Sequence, residues 1–302
     1  MIMEFYSNGK LFILGEYYVL QGAKVFALPT KFGQYLSVFP IQSKVLSWKS
    51  YDADGSVWYN DDIVIADVLS NNQTSTDKVR NTLIDILHQA HQANSTVLSN
   101  GGFVVETKLT FPRNWGLGTS STLINNIAQW FQIDAFQLLD KSFGGSGFDI
   151  ACAQHNTPVT YQKIDSKVIV QEVLFNPAFK ENIYFVYLNQ KRDSKDAIAN
   201  FRKKQKNLTN EIVEVSKMTD DLLTITDLNH FINFFKKYES NLGGILEVPT
   251  IQEQLFPDFN GLVKSLGGWG GDFVMVASEN DPTEYFKSKG YATIISYNDM
   301  IL

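Results

Sequence analysis

Residues 114–122 read Asn-Trp-Gly-Leu-Gly-Thr-Ser-Ser-Thr and could bind a phosphate group. The segment lies between a strand-like run and a helix-like run. Gly116 and Gly118 would let the backbone approach a ligand closely. The first amides of the following helix lack partners within the helix and carry the positive end of its dipole, which attracts anions. A plain helix cap would use the same residue types, and no Gly-Lys-Ser/Thr follows as in a Walker loop.

Residues 144–149 form a second glycine-rich segment, Gly-Gly-Ser-Gly-Phe-Asp, which places Asp149 in the first turn of another predicted helix. The helix dipole alone favours an aspartate there. As a functional group, this carboxylate would accept the proton of a substrate hydroxyl during phosphoryl transfer, a role that depends on position more than on basicity. Taken alone, the segment leaves both interpretations open.

Two further segments carry candidate residues. Lys10 stands at the start of a strand-like run, and Glu16 follows the end of that run. A lysine at a strand end is usually a solvated surface charge, but near a catalytic carboxylate it would stabilise developing negative charge. Residues 267–272 are a third glycine-rich turn, directly before an apolar run. A turn would explain one such segment, whereas three in one chain favour a functional role.

The elements around these segments predict an α+β fold. Strand-like runs cover residues 10–14, 25–40, 102–109, 184–188 and 273–277. Helical spacing of apolar residues marks one helix from Val79, one after each of the first two glycine-rich segments, and polar helices over about 194–206 and 211–238. No linker is obvious, so we expect two closely packed halves joined near residues 170–182.

Composition argues against several classes of protein. The formal net charge of −6 argues against a nucleic-acid partner, because phosphate backbones are bound by basic surfaces. No apolar run approaches the roughly 18 residues of a membrane span, and the N-terminus does not read as a signal peptide. We therefore expect a cytoplasmic protein with no membrane partner. Cys152 is the single cysteine, which excludes an intrachain disulfide and a thiolate zinc cluster.

Together, the glycine-rich segments and the N-terminal run resemble the GHMP kinases, the family of galactokinase, homoserine kinase, mevalonate kinase and phosphomevalonate kinase. Residues 9–17, which include Gly-Lys and Gly-Glu-Tyr, are similar to the family's opening segment. Residues 116–121 are similar to its central phosphate loop and residues 267–272 to its C-terminal glycine motif. The order and spacing match as well, and the resemblance extends from residue 8 to about residue 277.

The resemblance implies a particular fold and chemistry. It implies an N-terminal α/β domain with a left-handed crossover and a C-terminal ferredoxin-like domain, which we assign to residues 1–175 and 176–302. It also implies transfer of a phosphoryl group from ATP, with Mg²⁺, to a small-molecule substrate. We expect a monomer or a homodimer.

The resemblance also assigns roles to individual residues. It makes Asp149 the catalytic base and places Lys10 beside that base and the substrate hydroxyl. The ATP phosphate loop would comprise Gly116, Leu117, Gly118, Thr119, Ser120 and Ser121, with the Ser120 hydroxyl as the magnesium contact. Substrate contacts are expected from Glu16, Ser146, Gly147, Lys191, Arg192, Ser194, Gly270 and Gly271.

Three details are similar to phosphomevalonate kinases within the family: Gly-Glu-Tyr at the first motif, Gly-Ser-Gly-Phe-Asp at the base, and Asp272 closing the third motif. We therefore expect phosphomevalonate as the acceptor. The alternatives are a mevalonate kinase, a GHMP-fold binding protein without catalysis, and a decarboxylase of the diphosphomevalonate type.

The chain also departs from the family pattern. Thr119 and Thr122 replace the usual Ser and Ala, and Trp269 interrupts the third motif. Where mevalonate kinases have a magnesium-binding glutamate, this chain has Leu138, with Asp140 as the nearest acid. The last departure weakens the mevalonate kinase alternative, unless Asp140 substitutes for the glutamate.

Overall fold

The computed structural model describes residues 2–99, 101–165, 167–190, 208–267 and 271–302. The chain forms two compact units. The first unit comprises residues 1–10, 32–113 and 117–154, and the second comprises residues 11–31, 114–116 and 155–302. Both units are discontinuous in sequence because the long strands β1 (Met3–Leu14) and β2 (Val25–Ile41) each contribute residues to both. The single division after residue 175 stays a prediction.

The first unit combines part of a sheet with five helices. Three of its strands are β3 (Val45–Tyr51), β4 (Val57–Val64) and β5 (Gly102–Leu109). They join β2 in the order β4-β3-β5-β2, with β3 and β5 parallel and the other neighbours antiparallel. The helices are α1 (Ile65–Ser70), α2 (Lys78–Ala93), α3 (Thr119–Phe131), α4 (Ala135–Ser142) and α5 (Phe148–Gln154).

Sequence periodicity explains how these elements pack. Strand β3 buries every second residue, including Leu46 and Trp48, as the alternation of side chains along a strand requires. Helix α3 buries Ile124, Ile127 and Phe131, which share one helical face. These residues belong to one hydrophobic core cluster. The core therefore fixes the direction of α3, and with it the position of the glycine-rich segment at its N-terminus.

The first half of β1 is a feature that sequence patterning missed. The strand begins at Met3, so Lys10 lies inside it and not at its start. Residues 3–9 look unlike a strand because Ser7 and Asn8 are polar, yet both are buried. The Ser7 hydroxyl donates to Asn126 Oδ1 (2.7 Å) and accepts from Asn125 Nδ2 (2.8 Å), both on α3. Because buried polar groups need such partners, these bonds connect β1 to α3.

The second unit contains two groups of strands. Strands β6 (Val159–Ile164) and β7 (Lys167–Glu172) continue antiparallel from residues 25–27 of β2. A separate four-stranded antiparallel sheet has the order β11-β8-β10-β9. Its strands are β8 (Ile183–Tyr187), β9 (Leu262–Ser265), β10 (Phe273–Ala277) and β11 (Ile294–Ser296).

The described helices of the second unit are α6 (Thr209–Leu222), α7 (Leu228–Leu246), α8 (Ile251–Leu255), α9 (Thr283–Ser288) and α10 (Tyr297–Met300). The predicted helical stretch 211–238 is divided in two, because Asp227 caps a new helix by accepting from the amide of His230. The predicted helix 194–206 lies outside the described residues. Within the described part of the chain, no helix is long and apolar enough to cross a membrane.

Candidate active site

Lys10 and Asp149 form an ion pair within the first unit, with 3.3 Å between Nζ and Oδ1. The side chains are 15% and 25% exposed, so water screens their attraction only in part. The Lys10 ammonium also lies 5.4 Å from the centre of the Phe148 ring. Burial, followed by the nearby charge of Asp149, raises the pKa of the Cys152 thiol on the next turn of α5. Cys152 therefore stays protonated and is not a nucleophile at neutral pH.

Backbone contacts position both members of this pair. The amide of Lys10 donates to the carbonyl of Leu117 at 3.0 Å, which attaches β1 to the glycine-rich segment before α3. Asp149 is the second residue of α5, whose buried residues include Ile150 and Ala151. The amides of these two residues both donate to the carbonyl of Gly147, at 3.0 and 3.3 Å. The predicted substrate residues Ser146 and Gly147 thus come directly before the helix that carries Asp149.

Gly118 brings the phosphate-loop candidate next to the ion pair. This residue precedes α3 with a φ of +95°, a conformation that favours glycine. A Cβ atom at this position would lie 3.4 Å from Lys10 Cγ and 4.0 Å from Asp149 Oδ1. The residue before α3 is a glycine, which has no side chain to cap the helix, and the first turn of α3 contains no acidic residue. An uncapped helix start beside a lysine is well suited to an anion.

These residues fit the phosphates of ATP and an accompanying magnesium ion. Loop amides and Lys10 offer donors for phosphate oxygens, and the exposed Ser120 offers a hydroxyl. Among the described residues, no group of three His, Cys, Asp or Glu could hold a metal by itself. Magnesium in such sites is bound partly by substrate phosphates, and the Ser120 hydroxyl is the candidate protein ligand here. Leu138 is buried, and Asp140 is exposed on α4.

Thr122 departs from the expected alanine for a visible reason. The side chain is buried, and its hydroxyl donates to Gln34 Oε1 at 2.7 Å. Gln34 lies on β2 and also accepts from Asn126 Nδ2 through its carbonyl (2.9 Å). In this chain a polar contact therefore takes the place of apolar packing between α3 and β2.

A cavity of about 270 Å³ lies in the first unit beside Thr119 and Ser120. Local sequence patterns do not predict this cavity, because its walls come from strands and helices far apart in the chain. Its lining includes four aromatic side chains and the hydroxyl groups of Thr119 and Ser120 on α3. The lining residues are Gln34, Trp48, Ser50, Trp58, Tyr59, Lys78, Val79, Thr82, Leu83, Ile86, Thr107, Thr119, Ser120, Leu123 and Phe143.

In the second unit, Asp272 of the third glycine motif lies against Gly116. A Cβ atom on Gly116 would stand 2.5 Å from the carboxylate carbon of Asp272, so only glycine fits. The Asp272 amide donates to the carbonyl of Gln190, and its carbonyl accepts from the amide of Leu188, both at 2.8 Å. Burial, followed by the charge of Asp272, raises the pKa of Tyr187. The sequence identified Gly116 and Asp272 separately but gave no sign that they are in contact.

Glu16 lies in a buried ionic cluster of the second unit. Its Oε1 is 2.6 Å from Lys264 Nζ, and its Oε2 accepts from the Tyr238 hydroxyl at 2.8 Å. Lys264 is fully buried, and its ammonium lies 3.6 Å from Glu239. The predicted substrate contact of Glu16 stays a prediction, although both carboxylate oxygens already have partners in this unit.

Glu239 has an unusual environment in this cluster. One carboxylate oxygen accepts from the Ser265 amide at 3.1 Å, but the other has no hydrogen-bond partner among the described residues. Burial raises the pKa of Glu239 to about 7, with Lys264 opposing the shift and Glu16 adding to it. The cluster contains two carboxylates and one ammonium, so protonation of Glu239 removes its excess negative charge.

Four of the predicted substrate residues lie outside the part of the chain that the structure describes: Lys191, Arg192, Ser194 and Gly270. Gly271 is buried and directly precedes Asp272.

The chain has the fold of the GHMP kinases, as expected from the sequence. It is similar to mevalonate kinase from Methanococcus jannaschii, with a TM-score of 0.71 and 14% identity over 98% of this chain and 97% of that one. For phosphomevalonate kinase from Streptococcus pneumoniae, in complex with phosphomevalonate and AMPPNP, the TM-score is 0.65 and the sequence identity is 14% over 95% of both chains. For Lactococcus lactis galactokinase, complexed with galactose, the TM-score is 0.66 and the sequence identity is 14% over 95% of this chain and 88% of that one. No protein-family model and no curated protein matches the sequence.

Replacing Asp149 with asparagine should preserve the fold and ATP binding while lowering turnover at least about a hundredfold, the usual scale for loss of a positioned base. Calorimetry with ATP and an assay of ADP release measure the two effects. Asp134→Asn is the matched control, because asparagine caps a helix as well as aspartate does and Asp134 caps α4. Turnover near that of wild type in a folded Asp149→Asn enzyme would contradict the assignment.

Replacing Gly118 with valine should largely abolish ATP binding, because the side chain would stand where phosphate must approach the loop amides. Gly290→Val is the control: Gly290 has a φ of +90° and open space around it, so the backbone strain is similar but no loop is blocked. Calorimetric titration with ATP and magnesium compares the two variants. Equal affinities would mean that residues 116–121 are only a helix cap.

Replacing Glu239 with glutamine should change how stability depends on pH. The carboxyl has a pKa of about 7 in the folded protein and an ordinary value of 4.5. Between these values the folded state binds more protons than the unfolded state, so the free energy of unfolding falls as pH rises and levels off above about pH 7. In the Glu239→Gln variant, the part of this decrease in the free energy of unfolding that comes from Glu239 should be absent.

Urea unfolding at a series of pH values between about 4.5 and 8 measures how much Glu239 contributes to the pH dependence of the free energy of unfolding. Glu214→Gln, which removes a half-exposed carboxylate on α6, serves as the control. Parallel curves for wild type and Glu239→Gln would show that Glu239 does not titrate in this range.

Proposed function

We propose that this chain is a kinase that transfers a phosphoryl group from ATP to a small molecule. The observation that carries the proposal is the Lys10–Asp149 ion pair beside Gly118 and the uncapped start of α3. This arrangement combines a carboxylate, a cation and an anion-binding helix terminus, which are the groups that phosphoryl transfer requires. The GHMP kinase fold supports it.

Each residue has a defined part in the proposed reaction. Bound ATP with magnesium supplies the phosphoryl group and neutralises part of its charge. Asp149 orients the acceptor and accepts the proton of its attacking oxygen where that oxygen carries one, as a hydroxyl does, while a new P–O bond forms and the bond to the ADP oxygen breaks. Lys10 stabilises the negative charge that develops on the oxygens involved. The loop amides at the start of α3 hold the phosphates in line with the acceptor.

The cavity beside Thr119 and Ser120 is the proposed site of the nucleoside. Thr119 and Ser120, at the start of α3, belong to the cavity lining, so the cavity adjoins the place where the phosphates of a bound nucleotide would lie. The aromatic lining, which includes Trp48, Trp58 and Tyr59, suits a flat base. The cavity thus supports a nucleotide as the phosphoryl donor.

Phosphomevalonate is the proposed acceptor. The supporting features are Gly-Glu-Tyr at residues 15–17, Gly-Ser-Gly-Phe-Asp at residues 145–149, and Asp272. The structure of Streptococcus pneumoniae phosphomevalonate kinase is among those with the same fold. Mevalonate is the second candidate, because the Methanococcus jannaschii mevalonate kinase gives the higher TM-score of 0.71. Cytoplasmic location and a monomeric or homodimeric state stay predictions.

An acceptor screen with coupled detection of ADP tests the proposal. Phosphomevalonate should give a higher kcat/KM than mevalonate, since its dianion requires local positive charge that Lys191 and Arg192 would supply. Lys191→Ala and Arg192→Ala should then raise the KM for phosphomevalonate more than that for ATP. Lys217→Ala, on α6, removes one positive charge elsewhere and serves as the control.

The outcomes separate the candidates. Rapid phosphorylation of mevalonate with no reaction of phosphomevalonate would make mevalonate the acceptor. Release of carbon dioxide from diphosphomevalonate would identify a decarboxylase. Stabilisation by ATP without turnover of any acceptor would identify a binding protein.

A further inference from the structure

Asn125, on α3, is a buried residue whose side-chain amide bonds to two other elements of the first unit. Its Oδ1 accepts from Gln154 Nε2 on α5 at 3.0 Å. Its Nδ2 donates to the Ser7 hydroxyl on β1 at 2.8 Å, and it also lies 3.5 Å from the carbonyl oxygen of Ala153. One amide thus connects α3 both to β1 and to the C-terminal end of α5.

The two elements that Asn125 connects to α3 carry the ion pair of the candidate active site. Strand β1 carries Lys10, and α5 carries Asp149. Ser7 lies about 10 Å from Lys10 along the extended strand. Gln154 lies about 7.5 Å from Asp149 along the helix axis. Each bond of the Asn125 amide therefore reaches an element close to one member of the pair.

Helix α5 is short, and a directional bond at its C-terminal end helps to fix its position. The helix has seven residues, and its buried residues 151–153 have small side chains. Three glycines with positive φ precede it, at positions 144, 145 and 147. Small apolar side chains interlock less than large ones, so they define the position of a helix less sharply. A hydrogen bond is directional, and the bond between Gln154 and Asn125 adds the missing constraint.

We propose that Asn125 is a positioning residue for phosphoryl transfer, which holds the base Asp149 in place relative to Lys10. The proposal rests on the function proposed above, in which this base meets the acceptor beside the loop amides. The link from Asn125 to the base runs through Gln154, and the link to the lysine runs through Ser7. Turnover depends steeply on such placement, because a displacement of about 1 Å can lower a rate about a hundredfold.

Gln154→Met tests the link to α5 and should preserve the fold, because the Gln154 side chain is exposed. A coupled ADP assay with phosphomevalonate or mevalonate should show kcat lowered about three- to tenfold, the scale of one net hydrogen bond. The KM for ATP should stay near that of wild type, because the change leaves the loop amides intact.

Gln129→Met is the matched control. Gln129 is also exposed, and it lies on α3 one turn beyond Asn125. Its amide nitrogen contacts the Tyr6 carbonyl and the Ser7 hydroxyl on β1, at 3.3 and 3.4 Å, but among the described residues it has no hydrogen bond to α5. This variant should keep the wild-type kcat and KM.

Cys152 provides a second measurement that does not depend on catalysis. It is the single cysteine of the chain and is buried on α5, so a thiol-specific reagent reaches it only when this helix opens. Without denaturant, Gln154→Met should accelerate labelling of Cys152 about three- to tenfold, and Gln129→Met should not. Asn125→Leu removes both bonds of the amide and should give a larger effect on labelling and on kcat.

The outcomes separate this inference from the proposed function. Unchanged labelling in Gln154→Met would overturn the inference, because the bond would then not hold α5. Faster labelling with an unchanged kcat, or an equal loss of kcat in both glutamine variants, would overturn it as well. If Asn125→Leu does not fold, the two glutamine variants still decide. Absence of turnover by the wild-type protein with every acceptor would instead refute the proposed function, and the positioning role with it.

Discussion

The attachment of α3 to β1 is the constraint on which the candidate site depends. Ser7 bonds to Asn125 and Asn126 on α3, and the amide of Lys10 bonds to Leu117 just before that helix. These bonds hold the helix start, where anions bind favourably, beside the strand that carries Lys10. Because these donors and acceptors are buried, breaking one bond would leave a polar group without a hydrogen bond, which is unfavourable. The bonds therefore hold α3 firmly against β1.

Part of the fold follows from the sequence, because several of its elements have regular apolar patterns. The predicted strands 102–109 and 273–277 match β5 and β10, and the helix predicted after the second glycine-rich segment corresponds to α5. The first half of β1 could not be predicted, because Ser7 and Asn8 are buried through hydrogen bonds and not through apolarity. The cavity was also missed, since its lining comes from β3, β4, α2 and α3.

The sequence was informative about candidate residues but not about their partners. It singled out Lys10 and Asp149, which form an ion pair, and Gly118, where an added Cβ atom would lie 3.4 Å from Lys10 Cγ and 4.0 Å from Asp149 Oδ1. It gave no sign of the cluster that Glu16 forms with Lys264 and Glu239. Glu16 lies more than 200 positions before the other two residues, and these lie on a strand and a helix whose patterns are ordinary. Ionic contacts of this kind depend on tertiary structure and leave no local periodicity.

The contact between Gly116 and the Asp272 carboxylate has an evolutionary consequence. A side chain at position 116 is excluded by Asp272 and not by the loop alone. The two positions are therefore expected to change together: a lineage that replaces Asp272 with a smaller residue relaxes the requirement at position 116, whereas one that keeps the aspartate must keep the glycine. The central loop and the third motif, more than 150 residues apart in sequence, thus constrain each other's mutational path.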